Sequence, residues 1–278
     1  MNAAQSMPPS DDPAPDSSSA DPRGGSQQAN AALRFHERHT SFAYILPLVV
    51  FVIATALEPV PPATGEPEAE STFGITYRHY PLIYTLKLVA TGLAIAFAWP
   101  IYSRFAWRLT PWSVGVGVVG AAVWIGLCSL RLEEMILKPL GLGSVVDMGV
   151  RSAFNPLIEL ADTPVWAYTF LAIRLVGLVI IVPIVEEFFL RGFLMRFVVR
   201  ADWWNVPFGE VTTAAVVIGT LVPVLMHPGE MFAAAAWFSL VTWLMVRTRT
   251  IWDCVVAHAI TNLLLGIYVI ATGNWHLM

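Results

Sequence analysis

The chain has 278 residues, of which 56% are hydrophobic and 13% charged, with a mean hydropathy of +0.63 and a formal net charge of −4. A soluble domain carries about 25% charged residues, so this composition reads as a lipid-embedded protein and argues against a soluble enzyme. The acidic residues gather in the first 21 positions and around 66–70. No basic stripe is left to hold a nucleic-acid backbone. Cys128 and Cys254 offer neither ligand spacing nor a disulfide framework.

Residues 1–33 are rich in Pro, Ser, Asp, Gly and Gln. They bury too little apolar surface to offset ordering entropy, which predicts a disordered cytoplasmic tail. Residues 34–278 then form a transmembrane bundle. The first apolar run starts at Ser41 without a small-residue cleavage site, so it reads as an uncleaved signal anchor. Seven apolar stretches follow one another, at about 41–58, 81–101, 113–130, 166–186, 211–227, 231–246 and 251–272. The fourth runs on through Arg191 to about Arg200 as a long helix leaving the membrane. Each must satisfy its own backbone in lipid, so each is helical. The connection 131–165 is long for a loop. With Leu140, Val145, Val146, Phe154 and Leu157 it reads as an interfacial or re-entrant piece, or as an eighth span. The fold expected is all-α, a polytopic membrane helix bundle with about seven to eight transmembrane helices.

Placement of Lys and Arg orients the bundle. With the amino terminus inside, inner segments carry Arg23, Arg34 and Arg38, then Arg104 and Arg108, Arg196 and Arg200, and Arg247 and Arg249. Outer segments carry Arg78, then Arg131, Lys138 and Arg151. The amino terminus is expected in the cytoplasm and the chain in a bacterial inner membrane. Trp99, Trp107, Trp112, Trp166, Trp203, Trp204, Trp252 and Trp275 fall near span ends, as an interfacial belt does.

Ionisable residues inside spans are costly and point to function. Glu187 and Arg191 are four apart on one helix face in the favourable acid-first order, so Arg191 neutralises Glu187. Glu186 is turned by about 100° and stays available. His258 and Asn262 share a face of the last span, and His227 ends the fifth before Pro228-Gly229. Taken singly, these groups also fit an interfacial salt bridge, a polar loop residue and interhelical glue. Of the other embedded charges, Lys87 is expected to snorkel from near a helix end. Arg174 is expected to pair with an acid such as Glu134 or Glu159.

The order Glu186-Glu187-x-x-x-Arg191, then His227, then His258-x-x-x-Asn262 resembles the CPBP family, the CAAX proteases and bacteriocin-processing enzymes. The resemblance covers roughly 165–272 and includes the short connection Arg247-Thr248-Arg249-Thr250-Ile251-Trp252. The stretch Trp203-Trp204-Asn205-Val206-Pro207-Phe208 is similar to the exosortase-associated bacterial subgroup. Pro223 stands where the family often has an aromatic residue, and a proline there loosens the helix before His227.

The resemblance implies an intramembrane endopeptidase acting near the membrane-proximal or lipidated end of a protein or peptide substrate. It implies Glu186 as the base that takes a proton from water, His258 helping to hold that water, and His227 and Asn262 facing the oxyanion. Glu187 and Arg191 support them. No cofactor is expected; the alternative is zinc on Glu186, His227 and His258. His-Glu-x-x-His, Gly-x-Ser-Gly and Gly-x-Gly-Asp are all absent, which removes the other intramembrane protease types. The rival functions are a non-catalytic scaffold or immunity-type partner and a small transporter or proton relay, for which no inverted repeat is found. One tension is geometric. His258 lies about 12 Å and His227 about 24 Å from the inner ends of their spans, so the fifth helix must start late, tilt or break near Pro223, or else the segment 231–246 is not a full span.

Overall fold

The computed structural model describes residues 40–59, 75–147 and 153–277. The chain divides into two units, Met1–Arg38 and His39–Met278, and every described residue belongs to the second. The expected tail at 1–33 lies outside the described residues. The described residues are helical, without a strand among them.

Seven main helices correspond to the seven apolar stretches. They are α1 (Thr40–Thr55), α2 (Tyr80–Tyr102), α3 (Pro111–Ser129), α4 (Pro164–Val199), α5 (Thr213–Met226), α6 (Met231–Thr248) and α7 (Ile251–Thr272). Five of them, α2, α3, α4, α6 and α7, are long and apolar enough to cross a membrane. The other two are shorter: α1 has 16 residues and α5 has 14, or about 24 and 21 Å against a hydrocarbon core of about 30 Å. The long fourth helix is present. At 36 residues, α4 extends well past the core thickness.

Local chemistry sets the ends. Proline follows the N-cap threonines Thr110 and Thr163, where its missing N–H costs nothing. Thr212 caps α5 by accepting from the Ala215 N–H at 3.2 Å. Arg249 (φ 53°) and Gly273 (φ 75°) end α6 and α7 in the left-handed conformation. Asp253, in the first turn of α7, accepts from the Thr110 N–H and hydroxyl, each at 2.8 Å, and so ties the α2–α3 connection to α7.

The connection after α3 holds a kinked helical piece, Glu133–Leu142, followed by short helices Gly143–Asp147 and Pro156–Glu159. None is long enough to span. Glu133 is buried, and its carboxylate accepts from the Phe232 N–H at 3.0 Å, capping α6 from a distant element.

α7 packs on α3, and α3 on α6. Two glycines permit this approach. A Cβ on Gly117 would sit 2.7 Å from Ile260 Cβ, and one on Gly120 would sit 2.7 Å from Trp237 Nε1. Lipid offers little hydrophobic drive between helices, so such close packing carries much of the association. Phe188 of α4 anchors a second core, stacking on Tyr102 at 3.8 Å beside Tyr44, Trp203 and Trp252.

Two sequence expectations change. Trp203, Trp252 and Trp275 are buried in the protein, whereas Trp99, Trp107, Trp112, Trp166 and Trp204 are exposed as a belt requires. Lys87 does not snorkel to a helix end. It is 4% exposed and pairs with Glu58, its ammonium lying 4.4 Å from the Tyr84 ring centroid and 4.7 Å from that of Phe51. Glu134, one of the two acids named for Arg174, pairs with Arg131 instead, and Arg174 is buried and donates to the Phe154 carbonyl at 2.6 Å.

Candidate active site

The motif helix α4 is not a regular α-helix. It widens into π-type turns at Gly177–Ile181 and Phe188–Leu194, on either side of Val182–Glu187. In the first wide turn the Val182 N–H reaches back five residues to the Gly177 carbonyl. The next carbonyl, that of Leu178, would be served by residue 183 in the same pattern. Pro183 has no N–H to give. The Asn262 side-chain amide donates to the Leu178 carbonyl at 2.8 Å instead. Since a carbonyl only accepts, this bond fixes which end of the Asn262 amide carries nitrogen. It also locks α7 against α4.

Glu187 is fully buried, and its two oxygens are separately engaged. Oε2 accepts from Arg191, the i,i+4 pair expected from sequence, and Oε1 accepts from His258 Nδ1 at 2.9 Å. Arg191 is also fully buried and donates to the Phe238 carbonyl at 3.2 Å. Glu186 points elsewhere, as its helical rotation predicts. It is 8% exposed, and no hydrogen bond or ion pair reaches it among the described residues.

His227 follows the last residue of α5. Its N–H bonds to the Val224 carbonyl at 3.1 Å, ending the helix, and its ring Nδ1 lies 2.8 Å from the Pro223 carbonyl. Because the helix ends here and the His227 N–H goes to Val224, the Pro223 carbonyl is left to the imidazole. The His227 ring lies 5.6 Å from Trp124 and 5.7 Å from Phe238, and the His258 ring lies 4.4 Å from Trp237.

Glu186, His227, His258 and Asn262 all line one cavity of about 600 Å³. α5 starts at Thr213 and stops at Met226, and His227 enters the cavity from the turn that follows. Glu187 and Arg191 lie behind the cavity wall. Among the described residues, no three His, Cys, Asp or Glu side chains group closely enough to hold a metal ion, so Glu186, His227 and His258 share a cavity without forming a ligand set. The walls are largely apolar, with Phe51, Trp124, Leu178, Val182, Phe238 and Leu265, and also carry Lys87 and Glu58. Sequence reasoning saw Lys87 as an embedded charge but gave it no place here. Glu58, the last residue of the first apolar stretch, carried no signal.

Residues 168–264 match the family model described as type II CAAX prenyl endopeptidase Rce1-like. The chain carries an Rce1-like domain. It is an integral membrane protein, and its segment 168–264 is similar to CAAX-type proteases. The Rce1-like segment runs from α4 into α7 and contains all six residues singled out in the sequence. α1, α2 and α3 lie outside the Rce1-like match, yet Phe51, Lys87 and Trp124 line the same cavity. No curated protein and no solved structure gives a significant match to the chain.

Proposed function

We propose that this chain is an intramembrane glutamic endopeptidase that hydrolyses a peptide bond near the membrane-proximal or lipidated end of its substrate. The observation that carries the reading is the contrast between adjacent carboxylates. Glu187 is spent on Arg191 and His258, while Glu186, in a cavity shared with two imidazoles and an amide, has no side-chain partner among the described residues. Such a carboxylate is placed to take a proton from water, and general-base help of this kind is worth about 10²- to 10⁴-fold.

The hydrogen bonds at the two Nδ1 atoms divide the histidines' work. His227 Nδ1 faces a carbonyl and must donate, so the neutral ring presents a lone pair at Nε2. That lone pair suits a water shared with Glu186. His258 donates from Nδ1 to a carboxylate, which is a counter-charge for an imidazolium that donates through Nε2. Asn262 keeps a second amide hydrogen beyond the one given to Leu178. His258 and Asn262 sit one turn apart on one face of α7, and in this reading both donors serve one oxygen, the developing oxyanion. A donor of this kind is worth about 3 kcal/mol. This division exchanges the two histidines relative to what the resemblance implied. No step is routed through a metal.

The apolar walls suit a substrate segment bearing apolar side chains or a lipid, and the Lys and Arg distribution supports a cytoplasmic amino terminus. The test compares membrane proteomes from cells carrying the wild type and Glu186→Ala. Uncut substrates accumulating in the variant support the reading. Identical proteomes, with the variant folded and inserted, defeat it and favour a non-catalytic membrane partner.

A further inference from the structure

A hydrogen-bond chain beside His258 takes no part in the chemistry just described. The Gly117 carbonyl of α3 accepts from the Thr261 hydroxyl of α7 at 2.9 Å. The Thr261 oxygen in turn accepts from Trp237 Nε1 of α6 at 3.0 Å. Trp237 is 1% exposed, and its ring meets that of His258 at 4.4 Å with an interplanar angle of 61°. Three helices therefore converge on one imidazole. The glycines of α3 make this possible, since a Cβ on Gly120 would lie 2.7 Å from Trp237 Nε1 and 2.9 Å from Thr261 Oγ1.

An imidazole held only through Nδ1 can still tilt about that hydrogen bond. The bond to Glu187 fixes one atom of the His258 ring and leaves the direction of Nε2 open. An indole packed on the ring closes that freedom, but only if the indole is itself held. We propose that Trp237, locked by Thr261 and the Gly117 carbonyl, is a positioning residue that sets the tilt of His258. Through it α3, which lies outside the Rce1-like match, governs the donor direction at the site. This rests on the peptidase reading above. A misplacement near 1 Å costs on the order of 100-fold in such sites, so a small shift of the indole is enough to matter.

The test uses the full chain in nanodiscs. Thr261→Val keeps the side-chain size and removes both hydrogen bonds, Thr261→Ser restores the hydroxyl, and Trp237→Phe keeps a ring without its N–H. Thr261→Val and Trp237→Phe are expected to lower kcat on a membrane-anchored peptide by roughly 10- to 100-fold with KM changed less than about threefold. Thr261→Ser is expected to stay within about threefold of wild type. In ¹⁵N-histidine spectra, the His258 ring signals should move in Thr261→Val and return in Thr261→Ser. Wild-type kcat in both Thr261→Val and Trp237→Phe overturns the proposal. If the wild type cleaves no peptide, the peptidase reading fails by itself, and the spectra decide the role of Trp237: unmoved His258 signals in Thr261→Val overturn it.

Discussion

Glu187 accepts a hydrogen bond from His258 across 71 positions of sequence, and the same carboxylate pairs with Arg191 one turn along its own helix. One buried group thus has a structural partner and a site partner, and the two uses can be separated. Glu187→Gln leaves Arg191 as an unpaired buried cation, which costs about 3–5 kcal/mol of stability. It also removes the counter-charge behind His258 and lowers kcat. Adding Arg191→Met to Glu187→Gln removes the stranded charge, so thermal unfolding in detergent should recover much of the lost stability. Peptide hydrolysis should not recover with it. A parallel return of both would mean that Glu187 serves stability alone.

Glu186 predicts the opposite pattern. Among the described residues it has no partner to strand, so Glu186→Gln should not lower stability by more than about 1 kcal/mol. Hydrolysis should fall by about 10²- to 10⁴-fold. Unfolding midpoints and single-turnover rates on one preparation check both halves. A folded Glu186→Gln protein with wild-type turnover would remove the general base from the mechanism.

The parts of this molecule legible in sequence are those written in local periodicity. Seven apolar stretches became seven helices, and i,i+4 spacing correctly joined Glu187 to Arg191 and put His258 on the face of Asn262. What stayed hidden depends on contacts between distant segments. Nothing near Glu187 in sequence announces His258, and nothing near Lys87 announces Glu58. Pro223 reads in sequence as a disturbance of the helix; that the helix ends at Met226 and leaves the Pro223 carbonyl to the His227 ring is not written in the local pattern. The burial of Trp203 and Trp252 was illegible for a related reason: a tryptophan near a span end packs inward or outward according to its neighbours, here Tyr44 and Phe188.

Metal dependence gives a direct chemical check. Glu186, His227 and His258 line one cavity without grouping as a ligand set, and the proposed roles use their protons and lone pairs directly. Prolonged treatment with phenanthroline or EDTA should leave the initial rate within about twofold of the untreated enzyme. Loss of activity that added zinc restores would replace the glutamic mechanism with a metal-assisted one.

Asn262 has two duties that a pair of substitutions can pull apart. Its amide serves the Leu178 carbonyl because Pro183 has no N–H at the position the wide turn requires. Asn262→Ala strands that buried carbonyl, which should cost about 1–3 kcal/mol, and removes an oxyanion donor as well. Combining it with Pro183→Ala returns a backbone N–H within reach of Leu178. Unfolding of the double variant should therefore shift back toward wild type by roughly 1 kcal/mol relative to Asn262→Ala. Its kcat should stay low, because a backbone donor inside α4 cannot replace a side-chain donor in the cavity. Recovery of kcat together with stability would show that Asn262 only staples α7 to α4. Recovery of neither would show that the Pro183 N–H does not reach the carbonyl and that the wide turn has another cause.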